Sequence, residues 1–172
     1  MQNWNSKVPF PTDNFIITCT DASFGPSRSS GKPMITLDFE ISSPDAINVK
    51  GEDYNVAGQK VGSQYVVTQS IDGEGNLDVV KTESCKKRMD DMCTKFGVPL
   101  IDNPENPDVS VFKGKKVWAL LKGDTKEKRK TPTQEQLSKG IKEGDVIQDP
   151  MTGQPVVTYW PVVDQFYGLA PQ

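Results

Sequence analysis

The strongest constraint on the fold is an alternation of apolar and polar side chains in the segment MITLDFEIS, residues 34–42. Successive side chains of a β-strand point to opposite faces of a sheet, so a period of two indicates a strand with one buried face. The apolar positions are Ile35, Leu37, Phe39 and Ile41, and the polar positions are Thr36, Asp38 and Glu40. This segment predicts a half-buried strand and favours a mainly β protein.

Other runs rich in β-branched and aromatic residues predict four more strands, at residues 13–24, 60–71, 113–122 and 156–169. The turn-rich segment 25–33 joins the first two strands, which are predicted to form a long hairpin. Pro161 has no N–H to donate, so the last strand is predicted to be bent or to lie at a sheet edge. Residues 43–58 are polar and are predicted to be loop or an irregular edge.

One helix is predicted at residues 82–96, between the third and fourth strands. Its apolar residues form a single stripe, made of Cys85, Met89, Met92, Cys93 and Phe96. Thr82 or Ser84 can cap the start, and Gly97 followed by Pro99 ends the helix. The stripe favours packing against a core over a groove for a partner.

The order strand, strand, strand, helix, strand, strand is that of the OB-fold, a partly open five-stranded barrel. With 172 residues, 35% of them apolar, the chain can build one good core, so a single domain over residues 1–172 is expected. Residues 1–12 are predicted to be an N-terminal arm. Residues 123–155 form a long basic insertion between the fourth and fifth strands, in which TPTQEQLSKG predicts a short helix and DPMTGQ a hairpin turn.

Positive charge is concentrated between Lys113 and Lys130, KGKKVWALLKGDTKEKRK. This segment carries +6, although the whole chain carries −3. Strand parity places Val117, Ala119 and Leu121 on one face, and Lys116, Trp118, Leu120 and Lys122 on the other. Lysines can neutralise phosphates while an exposed indole stacks on an unpaired base. An edge strand guarded by lysines, followed by a charged loop, explains the segment equally well.

The remaining aromatic residues favour packing rather than binding. The parity of Phe39 and Tyr65 matches that of their apolar neighbours, so both are predicted to lie in the core. Four aromatic residues of the last strand are predicted to be core or subunit interface: Tyr159, Trp160, Phe166 and Tyr167.

Catalytic and metal chemistry are not indicated. The chain has no histidine, the commonest general base, and no GxSxG or HExxH motif. The segment GPSRSSGKP has five residues between its glycines and a proline in place of Ser/Thr, so it is not a P-loop. Cys19, Cys85 and Cys93 form no CxxC pair and are predicted to be buried thiols. We therefore expect no enzyme activity, no metal and no cofactor.

Membrane and secretory signals are also not indicated. No apolar run approaches the roughly 18 to 20 residues that span a bilayer, and the first residues do not follow the signal-peptide pattern. A cytoplasmic location is expected, which is the host cytoplasm if the chain is phage-encoded.

Several segments together resemble phage-type single-stranded DNA-binding proteins with an OB-fold. These are SSGKPMITLDFEI, the helix KKRMDDMCTKFGVPL, FKGKKVWALLK and the closing aromatic strand, within residues 13–122 and 156–169. The resemblance implies sequence-tolerant binding of single-stranded DNA in phage replication or recombination, with replication or recombination proteins as further partners. The chain lacks the acidic, phenylalanine-tipped tail through which many such proteins recruit partners.

By this resemblance, the DNA contacts lie in the loop between the first two strands, on the fourth strand and in the insertion. The candidate residues are Arg28, Lys32, Lys115, Lys116, Trp118, Lys122, Lys126, Lys128, Arg129 and Lys130. The alternative is a structural or protein-interaction module, such as a virion or assembly component, that uses the same fold without binding nucleic acid.

Overall fold

The computed structural model describes residues 1–127, 151 and 157–172. In this part of the chain the fold is mainly β, with two sheets and one α-helix. The elements are β1 (Gln2–Asn3), β2 (Asp13–Pro26), β3 (Pro33–Ser43), β4 (Ala46–Val49), β5 (Glu52–Asn55), β6 (Lys60–Val67), α1 (Val79–Phe96), a 3-10 turn (Ser110–Phe112), β7 (Lys116–Glu127) and β8 (Val157–Leu169). No helix among these residues is long and apolar enough to cross a membrane.

The larger sheet contains five antiparallel strands in the order β6-β3-β2-β7-β8. The five predicted strands and their order along the chain are confirmed, as is the long hairpin of β2 and β3. Pro161 lies in β8, at one end of the hydrogen-bonded order, as its missing N–H predicts.

The two outer strands of this order approach each other at Gly62. A Cβ atom at Gly62 of β6 would lie 3.0 Å from the Cγ1 atom of Val162 and 3.6 Å from the carbonyl oxygen of Pro161, both on β8. No hydrogen-bonded ladder joins β6 to β8 within the described residues. The sheet therefore curls until its two outer strands touch, as the twist of successive strands favours.

The core lies inside this curled sheet. Ile35, Leu37, Phe39 and Ile41 of β3 are each at most 1% exposed, which confirms the predicted alternation. The helix stripe of Cys85, Met89, Met92, Cys93 and Phe96 is also buried, as predicted. The Phe96 ring covers the end of the core, with its centroid 5.5 Å from that of Phe112 and 5.4 Å from that of Phe166.

Helix α1 begins three residues earlier than predicted. Its N-cap is Asp78, whose carboxylate accepts a hydrogen bond from the Lys81 N–H at 3.1 Å. Thr82, one of the two predicted caps, instead accepts from the Ser70 N–H at 3.1 Å. The exposed β-branched pair Val79 and Val80 concealed the true start, because such residues favour strands over helices. Gly97 ends the helix in the left-handed conformation, as predicted.

A second sheet forms where a loop was predicted. Its order is β1-β5-β4, so most of the segment 43–58 is a hairpin, with β1 added in parallel. Strands of two to four residues that are rich in Asn, Asp and Glu show no periodicity, so the prediction was wrong here. Residues 1–12, predicted to be an N-terminal arm, pack against the rest of the fold, since Trp4 and Phe10 are buried and pack edge to face at 5.6 Å.

Strand β7 extends further than the predicted 113–122. Residues 123–127 belong to the strand and pair with residues 157–161 of β8, so the first part of the predicted insertion is sheet. The pairing joins residues that are 30 to 38 positions apart in sequence, which local patterns do not reveal. The predicted short helix and hairpin turn of the insertion lie outside the described residues.

All three cysteines are buried and unpaired, as predicted. Burial raises the pKa of the Cys19 thiol to about 11, although a backbone hydrogen bond with Asp21 lowers it in part. Burial also raises the pKa of the Cys93 thiol. These two thiols are therefore packing groups rather than nucleophiles near neutral pH.

Candidate nucleic-acid interface

The predicted contact residues fall into two groups that the structure keeps apart. One group lies in the loop between β2 and β3, residues 27–32, and the other lies on β7 around Trp118. Trp118 pairs with Ile16, near the start of β2, whereas the loop begins at the other end of β2, after Ser23. Ile16 and Ser23 are seven residues apart, which corresponds to about 23 Å along a strand. A single compact site containing all the predicted residues is therefore not formed.

A groove of about 810 Å3 lies beside the first of these loops. Its floor is the outer face of β3 and β6, formed by Met34, Thr36, Tyr65 and Val67. Its wall is the loop segment Ser27–Ser30, which includes Arg28. Hydroxyl groups, one guanidinium and one phenol ring thus line an open groove.

Tyr65 is the most exposed aromatic side chain in the part of the chain that the structure describes, at 63%. The prediction that it lies in the core was wrong because β6 contains a bulge. Leu37 pairs with Gln64 and Phe39 with Val61, so β6 advances three residues while β3 advances two. An extra residue reverses the alternation of side chains beyond it. Val61 therefore faces inward, whereas Tyr65 faces outward opposite Thr36.

A sequence signal for this reversal exists. Gly62 lies in the interior of β6, and a glycine inside a strand often marks a bulge or a close approach of backbones. Both apply at this position, since Gly62 lies within the bulge and contacts β8. In this pairing the extra residue lies on β6 and not on β3, so the alternation of β3 is kept and Phe39 is buried as predicted.

The two cations predicted in the first loop have different environments. Arg28 is exposed and lines the groove. Lys32 is half-buried, and its Nζ atom donates a hydrogen bond to the Oγ atom of Ser70 at 3.3 Å. Lys32 thus fastens the end of the loop to the segment that precedes α1, and of the two predicted cations only Arg28 lines the groove.

Trp118 is 41% exposed on the outer face of β7, which confirms the predicted strand parity. The alternate residues Val117, Ala119 and Leu121 are fully buried. Its cross-strand neighbours are Ile16 on β2 and Gly168 on β8. Because Gly168 has no side chain, nothing from that position covers the indole ring.

The lysines near Trp118 are not equally free to meet a phosphate. Lys115 and Lys116 are half-buried, and Lys126 is exposed further along β7. The Nζ atom of Lys122 lies 3.2 Å from a carboxylate oxygen of Asp164, so this ion pair offsets its charge. Lys128, Arg129 and Lys130 lie outside the described residues.

Acidic side chains occupy the sheet surface between the two groups. Asp38 and Glu40 project from the outer face of β3, and Asp21 is the cross-strand partner of Asp38. Asp38 also accepts a hydrogen bond from the Ser63 hydroxyl at 2.5 Å. The positive potential is therefore not continuous across the sheet, since exposed charges act over about 8–10 Å at ordinary ionic strength.

Residues 1–127, 151 and 157–172 contain no group of three or more Cys, Asp or Glu side chains that could hold a metal ion. The groove instead brings together an aromatic ring, serine hydroxyls and one guanidinium. Comparison with protein-family models and with curated proteins finds no match to this sequence.

Proposed function

We propose that this chain binds single-stranded DNA with little sequence preference, in phage replication or recombination, and that the DNA lies in the groove between loop 27–32 and Tyr65. The observation that carries the proposal is the 63% exposure of Tyr65, an aromatic ring held outward by a bulge beside an exposed arginine. A solvent-exposed phenol on a rigid strand provides a ready stacking surface for an unpaired base.

The same proposal assigns the fold to the OB-fold barrel. Three observations support it: the strand order, the position of α1 between the third and fourth strands of the larger sheet, and the contact between β6 and β8 at Gly62. Ligands of OB-folds usually lie across the second and third strands, between the loop that joins the first two strands and the loop that joins the last two. In this chain those strands are β3 and β6, and the first loop is 27–32.

The chemistry of the groove favours sequence tolerance. Every base has a π-face, so stacking on Tyr65 would not select one base, and it would contribute about 1–3 kcal/mol. Arg28 would neutralise a phosphate, and the hydroxyls of Ser29 and Ser30 can donate to phosphate oxygens or sugar. Met34 and Val67, which pair with each other next to the Thr36–Tyr65 pair, add apolar surface to the floor of the groove.

A fluorescence-anisotropy titration with a labelled oligothymidine, short enough for one molecule, tests this assignment at two salt concentrations. We expect Tyr65→Ala to weaken binding about 5- to 150-fold, because one base loses its stacking partner. Tyr65→Phe retains the ring and should bind nearly as well as the parent. Arg28→Ala should lower the slope of log K against log salt by about 0.7, the value for one phosphate contact on a single strand.

Lys95→Ala is the matched control for Arg28→Ala, since it removes one positive charge from a lysine that is already paired with Asp91 on α1. It should change neither affinity nor slope. Absence of binding by the parent would exclude the proposed function. Equal binding by the parent, Tyr65→Ala and Arg28→Ala would keep the function and exclude the groove.

The residues predicted on β7 form a second candidate contact within this proposal. Trp118→Ala and a Lys115→Ala/Lys116→Ala double variant belong in the same titration. Weaker binding of the short oligonucleotide by these variants would place DNA on β7, as the sequence pattern predicts.

The alternative function is a structural or protein-interaction module, such as a virion or assembly component. The observation that favours it is the number of exposed large apolar side chains on β7 and β8, namely Trp118, Tyr167 and Leu169. Tyr159, Trp160 and Phe166 pack against the core, so of the four aromatic residues of β8 only Tyr167 is free to serve an interface.

A further inference from the structure

Four large apolar side chains are exposed at the start of α1 and in the turn before it. Val79 and Val80 are 64% and 76% exposed, and Leu77 is 51% exposed. Ile71, also exposed, forms a β-bridge with Leu77, so the two side chains lie next to each other. We name this surface, formed by Ile71, Leu77, Val79 and Val80, the 71–83 corner. Contiguous apolar patches of this kind mark interaction sites.

The rim of the 71–83 corner is acidic. Residues 71–83 contain four acids and a single base, Lys81. Asp72 and Asp78 have structural tasks, since their carboxylates accept backbone N–H groups in the turn and at the helix cap. Glu74 and Glu83 are exposed and have no such task, so their charges are available to a partner.

A second unpartnered surface has the opposite charge. We name it the Trp118 face: its apolar residues are Trp118, its cross-strand neighbour Ile16, Leu120, and Tyr167 beside Gly168. Lys116 and Lys122 share this outer face with Trp118, and Lys113 and Lys115 lie just before the strand. Of these four lysines only Lys122 is paired with an acid within the described residues. The Trp118 face thus combines an apolar centre with a basic rim.

The two surfaces lie at opposite ends of α1. The 71–83 corner contains the first turn of the helix. At the other end, a Cβ at Gly97 would lie 3.1 Å from a methyl group of Leu169, which pairs with Val117, the neighbour of Trp118. The 18 residues of α1 correspond to about 27 Å. The surfaces are therefore too far apart to cover each other within one molecule.

We propose that the Trp118 face of one molecule binds the 71–83 corner of another, so that copies of this chain associate head to tail. The apolar centres supply buried area, and the opposite charges of the rims select the orientation and disfavour face-to-face or corner-to-corner pairing. Contact between two different surfaces leaves one of each free at the ends, so the association continues as a ring or an open row.

Such association has a consequence for DNA binding that depends on the proposed function. Molecules that touch head to tail on one strand bind it cooperatively, because each bound molecule provides a contact for the next. A short oligonucleotide that holds one molecule would not show this effect, whereas a long one would.

A charge-exchange experiment tests the head-to-tail contact without DNA. One variant, Lys113→Glu/Lys116→Glu/Lys122→Glu, leaves three glutamates against the single lysine Lys115 and makes the Trp118 face acidic. Another, Glu74→Lys/Glu83→Lys, makes the corner basic. Sedimentation velocity over a range of concentrations at low salt should show association of the parent, and association at least about ten-fold weaker for each variant alone, because like charges meet. An equal mixture of the two variants should associate again, since every contact between unlike molecules joins opposite charges.

Two further measurements keep folding and binding effects apart. Circular dichroism should show that both variants are folded, as expected for substitutions at exposed or half-buried positions. Val80→Ser, which removes an exposed apolar side chain from the 71–83 corner, should weaken association and leave binding of the short oligonucleotide unchanged. Lys86→Glu, on the exposed side of α1, is the control and should associate like the parent.

Several outcomes would overturn the inference. These are a parent that stays monomeric at all concentrations, variants that associate as the parent does, or a mixture that does not recover association. Capture of a different protein by the Trp118 face, with the parent still monomeric, would also overturn it. Association without DNA binding would leave the inference standing and exclude the proposed function. DNA binding without association would do the reverse.

Discussion

At the scale of single residues, Gly123 shows how closely the first residues of the chain cross the larger sheet. A Cβ atom at Gly123 of β7 would lie 2.6 Å from the carbonyl oxygen of Phe10 and 3.3 Å from its Cβ atom. Real Cβ atoms essentially never approach a backbone oxygen so closely. Only glycine therefore lets Phe10 reach its buried position against Phe15, where the ring centroids are 5.4 Å apart.

We expect Gly123→Ala to destabilise the protein by about 1–3 kcal/mol, because the backbone at Phe10 must move to admit the methyl group. Urea unfolding followed by tryptophan fluorescence measures this change. Gly168→Ala is the control, since a Cβ there meets no atom within 4 Å and the residue lies in the neighbouring strand. Equal stability of the two variants would contradict the close crossing at Phe10.

Single residues also show where strand parity fails as a predictor. It correctly placed Trp118 outside and Val117, Ala119 and Leu121 inside, because this part of β7 pairs with β2 without interruption. It misplaced Tyr65 because one extra residue in β6 reverses the alternation. The sequence thus predicted that Trp118 lies on the outer face of the sheet. The face that Tyr65 occupies depends instead on how β3 and β6 pair.

At the scale of elements, α1 depends on a cap that its pattern did not reveal. The carboxylate of Asp78 accepts the Lys81 N–H, one of the four N–H groups left free at a helix start. The next residues, Val79 and Val80, are poor helix formers and are exposed, so this end of the helix has little other support.

Asp78→Ala should lower the free energy of unfolding by about 1 kcal/mol, the usual effect of removing an N-cap side chain. Chemical denaturation monitored by far-ultraviolet circular dichroism measures the loss. Ser84→Ala is the comparison, because sequence pattern offered Ser84 as a cap whereas the structure places it inside the helix, exposed. A larger loss for Ser84→Ala than for Asp78→Ala would contradict the assigned helix start.

Long elements were predictable from sequence and short ones were not. The eleven residues of β3 and the eighteen of α1 carry enough periodicity to be recognised. The short strands β1, β4 and β5 form because they pair with one another. Their pairing buries Ile47 of β4, Tyr54 of β5 and Trp4, which follows β1. Their stability is a tertiary property, which no local window contains.

At the scale of the whole molecule, residues 1–12 connect the two sheets. The Trp4 N–H donates to the Asn55 carbonyl of the smaller sheet at 2.9 Å, and the Ser6 carbonyl accepts from the Tyr159 N–H of β8 at 2.8 Å. Trp4 and Phe10 are buried between these contacts. The segment predicted to be an N-terminal arm thus contributes Trp4 and Phe10 to the core.

Deletion of residues 1–12 should destabilise the protein by about 3 kcal/mol or more, because two large aromatic side chains leave the core and expose their neighbours. Thermal unfolding of the deletion variant beside the parent checks this expectation. Lys7→Ala, an exposed position within the same segment, should change the midpoint little. A deletion variant as stable as Lys7→Ala would contradict the structural role of the segment.

The candidate site was only partly predictable, for a reason that belongs to the whole molecule. Lys116, Lys122 and Lys126 are close in sequence but are spread along the extended strand β7, where each residue adds about 3.3 Å, so they do not converge on one point. The groove is instead built from loop 27–32, β3 and β6, and only folding brings these together. Local sequence patterns therefore could not locate the groove, which depends on contacts between distant segments.

The hydrogen bond from Lys32 to Ser70 has a further consequence. The Thr68 N–H also donates to the Pro33 carbonyl, so two hydrogen bonds hold the end of loop 27–32 against the residues just before Ile71. If a nucleotide bound in the groove displaced that loop, the displacement would also shift the segment that leads to Leu77 and Val80. If contact with a neighbouring molecule changes the affinity for the nucleotide by some factor, the bound nucleotide must change the affinity between the two molecules by the same factor.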